Sequence, residues 1–196
     1  ALEKHRAALR GKTDDLNSWI AIGNRHLLKG EAGLAEIFYL HAFQKNPKSP
    51  AALNNLAYLR GREGDLARAL GGFKTALAAD EFALQPKKNV TRLFIGAGLW
   101  RHASLNYRQL EVRAPSDQEV KRGNALAALA LGKAAQAEAA GGLLTAGEGD
   151  NPKYAEAILA LAKGNREKAA DLLGDLSGRN EYAKLILEFW RTKEAK

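Results

Sequence analysis

The chain has 196 residues, with 30 Lys+Arg against 22 Asp+Glu and a formal charge of +8, long enough for one domain or a short repeat array with a buried core. With no cysteine it holds no disulfide, thiolate metal site or cysteine nucleophile. Five prolines and abundant alanine favour helix over an all-β fold, and no apolar run reaches the length of a membrane-spanning helix.

Methionine is absent and the chain begins at Ala1. This reads as a mature or trimmed N-terminus, with room upstream for a signal peptide or a lipid anchor. Residues 1–15 read as an N-terminal helix or partial repeat, basic over 1–10. From residue 16 a period of 34 sets in. Gly30, Gly64, Gly98 and Gly132 keep that spacing, as do Ala35, Ala69, Ala103 and Ala137. The aromatics Tyr39, Phe73 and Tyr107 keep it too, and Pro47 and Pro115 share a phase two periods apart.

In the first unit, 16–49, Trp19, Ile22, Gly23 and His26 recur at helical spacing. Gly30 supplies a left-handed residue that ends this helix. Leu34, Ala35, Phe38, Tyr39 and Ala42 mark a second helix, which stops at Asn46-Pro47. Gly23 and Ala35 are small enough for the two helices to cross closely, and His26 reads as a packing residue. The second unit, 50–83, repeats the pattern with Leu53, Leu56, Ala57, Gly64, Ala69, Phe73 and Ala76. The third, 84–117, has Val90, Thr91, Phe94, Gly98, Ala103, Tyr107 and Leu110. The fourth, 118–149, keeps Ala125, Ala128, Gly132 and Ala137, but has Gly141 where an aromatic is expected. A Gly-rich stretch over 140–152 reads as a loop or bend. The fifth, 150–178, slips by two residues and carries Ala157, Ala160, Gly164, Ala169 and Leu173. Residues 179–196 predict a capping helix with Tyr182, Leu185, Ile186, Phe189 and Trp190 on one face. Two antiparallel helices cannot bury both apolar faces alone, so neighbouring units must stack.

The series Trp19, Ile22, Gly23, His26, Gly30, Ala35, Tyr39, Ala42 and Pro47 resembles a tetratricopeptide repeat. The resemblance extends over about residues 16 to 178 and implies an all-α fold, a right-handed α-solenoid of antiparallel helix pairs. It further implies that the first helix of each unit lines a concave groove, which binds a peptide or helix of a partner. The stripe of those helices not assigned to packing gives the candidate contacts: Ile20, Asn24 and Leu27; then Asn54, Asn55 and Tyr58; then Lys88, Arg92 and Arg122. Amides suit a peptide backbone, and cations suit carboxylates. Tyr58 and Leu27 suit an apolar side chain. The basic excess centres here, because residues 82–122 hold 8 basic and 3 acidic residues, net +5. Co-chaperone members of the family use a two-carboxylate clamp. Asn24 and Asn55 match it, but Ile20 replaces its first Lys, and Gln85 and Asn89 replace its third-unit pair. Binding to the acidic tails of heat-shock chaperones is therefore not expected.

Motifs for chemistry are absent. Gly11-Lys12-Thr13 matches the end of a phosphate-binding loop, but Arg6 stands where the first glycine is required. His5, His26, His41 and His102 have no metal-binding spacing, and the carboxylates are scattered singly. Asn89-Val90-Thr91 fits a glycosylation sequon, a three-residue pattern common by chance. The expectation is a non-enzymatic interaction scaffold with no catalytic residue, metal or cofactor. Its size and architecture resemble the tetratricopeptide lipoproteins of bacterial pilus and secretion systems, such as the pilotins of type IV pili and the corresponding protein of the tight-adherence pilus. That resemblance implies a partner segment, acidic or C-terminal, from a secretin subunit. It implies the periplasm or the inner face of the outer membrane, the cytoplasm being the other compartment open to it, and membrane contact only through an upstream lipid anchor. The alternative is a nucleic-acid-binding or regulatory adaptor using the basic third unit. Nucleic acid is disfavoured because most aromatics are allotted to packing, leaving Tyr58 to stack on a base.

Overall fold

The structure is a computed structural model, and it describes residues 15–142, 151–178 and 183–188. All regular structure among them is helical. Five helix pairs follow one another: α1 (Leu16–Leu28) with α2 (Ala32–Lys45), α3 (Pro50–Arg62) with α4 (Leu66–Ala79), α5 (Leu84–Gly96) with α6 (Trp100–Arg113), α7 (Gln118–Ala130) with α8 (Ala134–Gly142), and α9 (Asn151–Ala162) with α10 (Arg166–Ser177). A further helical stretch covers 183–188, where Ala183 and Ile186 are buried. The stretch expected at residues 1–10, and Tyr182, Phe189 and Trp190, lie outside the described residues. The stretch read as a loop over 140–152 is helical at both ends, since 140–142 close α8 and Asn151 opens α9.

Each pair is joined by the same turn. At the end of α1 the Gly30 amide donates to the Leu27 carbonyl at 3.0 Å, and the Glu31 amide to the His26 carbonyl at 3.0 Å. The two bonds satisfy carbonyls that the last helical turn leaves open. The pattern recurs at Gly64 and Asp65, Gly98 and Leu99, Gly132 and Lys133, and Gly164 and Asn165. It needs a left-handed residue, and the five glycines have φ between 70° and 86°. A side chain at such a position costs roughly 1–2 kcal/mol. The residue after each glycine opens the next helix. Asp65 and Asn165 do so with a side-chain oxygen that accepts from the amides of Arg68 and Lys168.

The chain separates into two compact units at Val90/Thr91, inside α5. In the first unit the core is built on aromatic knobs. Tyr39 is wholly buried, and a Cβ at Gly23 would meet its ring at 2.5 Å, so α1 can approach α2 only as glycine. Ala35, Tyr39 and Leu59 form one cluster with Leu27 and Leu56 packed on it. Ala69 is buried at the crossing of α3 and α4, beside Gly61. His26 stacks on Phe38, ring centroids 5.1 Å apart, and its Nδ1 pairs with Glu31 at 2.6 Å.

In the second unit Tyr107 is wholly buried, and a Cβ at Gly123 would fall inside its ring. Thr91, at a position where the pattern favours Gly or Ala, is wholly buried. The core of α7 and α9 is rich in alanine: Ala125, Ala127, Ala128, Ala155 and Ala157 are all buried. At Gly141, where the period calls for an aromatic, the space is taken from the next pair. A Cβ there would lie 3.0 Å from the Ile158 Cγ2.

Candidate functional site

The residues expected on the first-helix face fall into two groups, one in each unit. In the first unit, side-chain amides form a directed chain. Gln85 Nε2 donates to Asn89 Oδ1 at 3.4 Å, and Asn89 Nδ2 to Asn54 Oδ1 at 2.8 Å. Asn54 Nδ2 donates to Asn55 Oδ1 at 3.0 Å, and Asn55 Nδ2 to Asn24 Oδ1 at 3.0 Å. The Tyr39 hydroxyl donates to the same Asn24 oxygen at 2.7 Å. The relay thus links α5, α3 and α1, and it ends on a residue at the surface.

The geometry of these first helices explains the relay. Residues 24, 55 and 89 sit near the middle of α1, α3 and α5. Each is next in sequence to a buried residue: Gly23, Asn54 and Val90. An amide carries both donor and acceptor, so asparagines on adjacent helices can pair without an unmatched charge. Asn54 and Asn89 are each 4% exposed, which makes their mutual bond structural, since a buried amide left unpaired is costly. Asn54 therefore serves the relay and lies largely below the surface, although the sequence places it among the contacts.

At the exposed end, Asn24 Oδ1 is saturated by two donors. Its Nδ2 makes no hydrogen bond among the described residues and faces outward. Tyr58 is half-buried, and its hydroxyl makes no hydrogen bond among the described residues either. It stands close to Tyr39, whose phenol is pushed up to about 12, mainly by burial and secondarily by Tyr58. Ile20 is half-buried, and Leu27 packs partly into the cluster around Tyr39, leaving one edge at the surface. Lys88 is half-buried. The first unit thus brings together Asn24, Asn54, Asn55 and, through Tyr39, Tyr58.

In the second unit, Arg92 pairs with Glu119 at 2.9 Å, joining α5 to α7, with the two side chains 28% and 16% exposed. Arg122 is half-buried on α7, and its backbone carbonyl accepts from the Tyr154 hydroxyl at 3.1 Å. Arg92 is therefore part of a partly buried ion pair, and reversing its charge would set two carboxylates against each other.

Sequence reasoning missed Tyr39 as a member of the site. The 34-residue period marks it as a packing aromatic, and the one available signal is that residue 39 is Tyr where residue 73 is Phe. No group of three His, Asp or Glu side chains able to hold a metal ion occurs among the described residues. No described helix is long and apolar enough to cross a membrane.

No protein-family model matches the sequence, and no curated protein does. Solved structures do match. A tetratricopeptide repeat protein from Parabacteroides merdae is 21% identical with a TM-score of 0.65, over 96% of this chain and 75% of that one. PilW, described as a widely conserved type IV pilus biogenesis factor, is 17% identical with a TM-score of 0.70, over 93% of this chain and 87% of that one. YrrB, a tetratricopeptide protein with an unusual peptide-binding site, is 17% identical with a TM-score of 0.62, over 97% and 100%. At these identities the likeness shows the fold, an all-α solenoid of tetratricopeptide type.

Proposed function

We propose that this chain is a non-enzymatic scaffold that holds a segment of another protein against the first-helix face of its first unit. The asparagine relay carries this reading. It fixes Asn24 through two accepted bonds and leaves its amide donor without a partner among the described residues, on a residue exposed at the surface. A fixed donor of this kind suits a backbone carbonyl, which positions a segment without demanding a sequence. The partly exposed edges of Ile20 and Leu27 add apolar contact for a side chain of the segment. In the finer reading, the partner is a subunit of a pilus or secretion apparatus, with a secretin as the specific candidate. The scaffold would then work in the periplasm or on the inner face of the outer membrane. The fold likeness to PilW, a type IV pilus biogenesis factor, supports this choice.

The test uses an isosteric change. Asn24→Asp keeps the oxygen that accepts from Tyr39 and Asn55, and removes the outward donor. A photo-crosslinker placed at Tyr58 in cells would first identify the bound segment, and a peptide of that segment would then be titrated. Asn24→Asp is expected to weaken binding about tenfold, the worth of roughly one hydrogen bond, while the protein remains folded by circular dichroism. Unchanged affinity would remove the first-helix face as the site. Capture of a partner unrelated to pili or secretion would end the finer reading and leave the scaffold standing.

A further inference from the structure

A second group of cations lies in the second unit and shares no residue with the candidate site. An open groove of about 400 Å³ is lined by Arg101, Ser104, Leu105 and Arg108 of α6, and by Leu131 and Lys133 of the α7–α8 turn. Arg101, Arg108 and Lys133 are exposed, and none forms an ion pair or hydrogen bond among the described residues. Among the described residues no carboxylate lines the groove. Ser104 is 8% exposed, and its hydroxyl makes no hydrogen bond among the described residues. Ser104 lines the groove, so this hydroxyl is open to a ligand there.

We propose that this groove is a second docking site, selective for an extended acidic segment of a protein. It rests on charge and spacing, independently of the first-helix reading. Arg101 and Arg108 stand seven residues, two helical turns, apart on one face of α6, so their Cα atoms are about 10 Å apart along the axis. A segment in the extended polyproline II conformation rises about 3.1 Å per residue with three residues per turn, so two carboxylates three residues apart lie on one face at about that separation. Each would meet one guanidinium, in the two-pronged geometry that Arg and carboxylate share. Leu105 is 52% exposed between the two arginines, and with Leu131 it forms an apolar floor for a side chain lying between the carboxylates. The Ser104 hydroxyl would reach the segment's backbone, and Lys133 adds a third cation at the turn. Nucleic acid fits less well. Among the described residues no aromatic ring lines the groove for a base to stack on, and a leucine floor offers nothing to phosphate.

The experiment is a fluorescence-anisotropy titration of the whole chain with a labelled peptide, Gly-Glu-Ser-Leu-Glu-Gly, and with its counterpart in which both glutamates are glutamine. A short oligothymidine forms the third arm, all at physiological salt. The acidic peptide is expected to bind at least about tenfold more tightly than the glutamine version. Arg101→Gln with Arg108→Gln should remove about that factor, and Ser104→Ala a smaller one. Asn24→Asp should leave this binding unchanged, which separates the groove from the first-helix face. Both arginines are exposed and unpaired, so the double variant should fold as the wild type does. Equal affinity for the two peptides would overturn the proposal, as would full binding by the double arginine variant. Tighter binding of oligothymidine than of the acidic peptide would also overturn it and assign the groove to nucleic acid.

Discussion

The first and fourth helix pairs meet the same packing problem with opposite choices. In the first, a large ring in the second helix, Tyr39, fills a notch cut by Gly23 in the first helix. In the fourth, the corresponding position is Gly141, and the volume comes from Ile158 in the following pair. The first pair therefore carries its own knob, whereas the fourth depends on its neighbour. A repeat can lose its most recognisable residue and keep its fold, provided the next repeat supplies the missing atoms.

Removing each knob gives the largest expected effect. Tyr39→Ala should cost about 3–5 kcal/mol and Ile158→Ala about 2–5 kcal/mol, measured by chemical denaturation. If Ile158→Ala were nearly neutral, the fourth pair would not depend on the fifth and the comparison would fail. Filling each notch sharpens the contrast, because the two substitutions should differ in sign. Gly23→Ala drives a methyl into a wholly buried ring and should destabilise by about 1–3 kcal/mol. Gly141→Ala comes closest to an isoleucine methyl at 3.0 Å, which can yield, its next neighbours lying at ordinary contact distances of 3.5 and 3.7 Å. It also gains up to about 1 kcal/mol of helix propensity, and should be neutral or stabilising. Equal losses for the two would show that both notches are closed in the same way.

A smaller effect separates the knobs by pH. The Tyr39 phenol is raised from its ordinary value of 10 to about 12 by burial. The folded state keeps this proton after the unfolded chain has released it. The contribution of the neutral phenol is therefore complete below pH 10 and is lost as pH rises towards 12. Denaturation midpoints followed across that window should fall, and Tyr39→Phe should flatten the slope. A slope unchanged by Tyr39→Phe would assign it to other groups.

What the sequence conveys follows from the range of each interaction. The turn glycines and the aromatic knobs recur at a fixed interval, so their geometry is written into the period. The left-handed φ of Gly64 follows from its place between two helical patterns. The replacement of an aromatic at residue 141 by Ile158 breaks that period, and nothing local announces it. The relay is equally hidden. Its bonds join Asn24 to Asn55 and Asn54 to Asn89, across 31 and 35 residues. The sequence places these amides on the first helices, but only the packing decides which of them turns inward. For that reason Asn54 reads as a contact in the sequence and proves mostly buried. Likewise, the arginines of α6 are one visible stripe, whereas Lys133 joins them only through the fold.

In the proposed function the relay holds Asn24 rigid while leaving its donor open to a partner. Solvent exchange of the side-chain amide protons, read by nitrogen-15 NMR for Asn24, Asn54, Asn55 and Asn89, tests it most directly. Exchange is expected to be slow at Asn54 and Asn89, whose amides are buried and bonded, and fast at Asn24, which is exposed. A bound partner segment should slow Asn24 and leave Asn54 and Asn89 as they were. Slow exchange at Asn24 in the free protein, or fast exchange at all four, would contradict it.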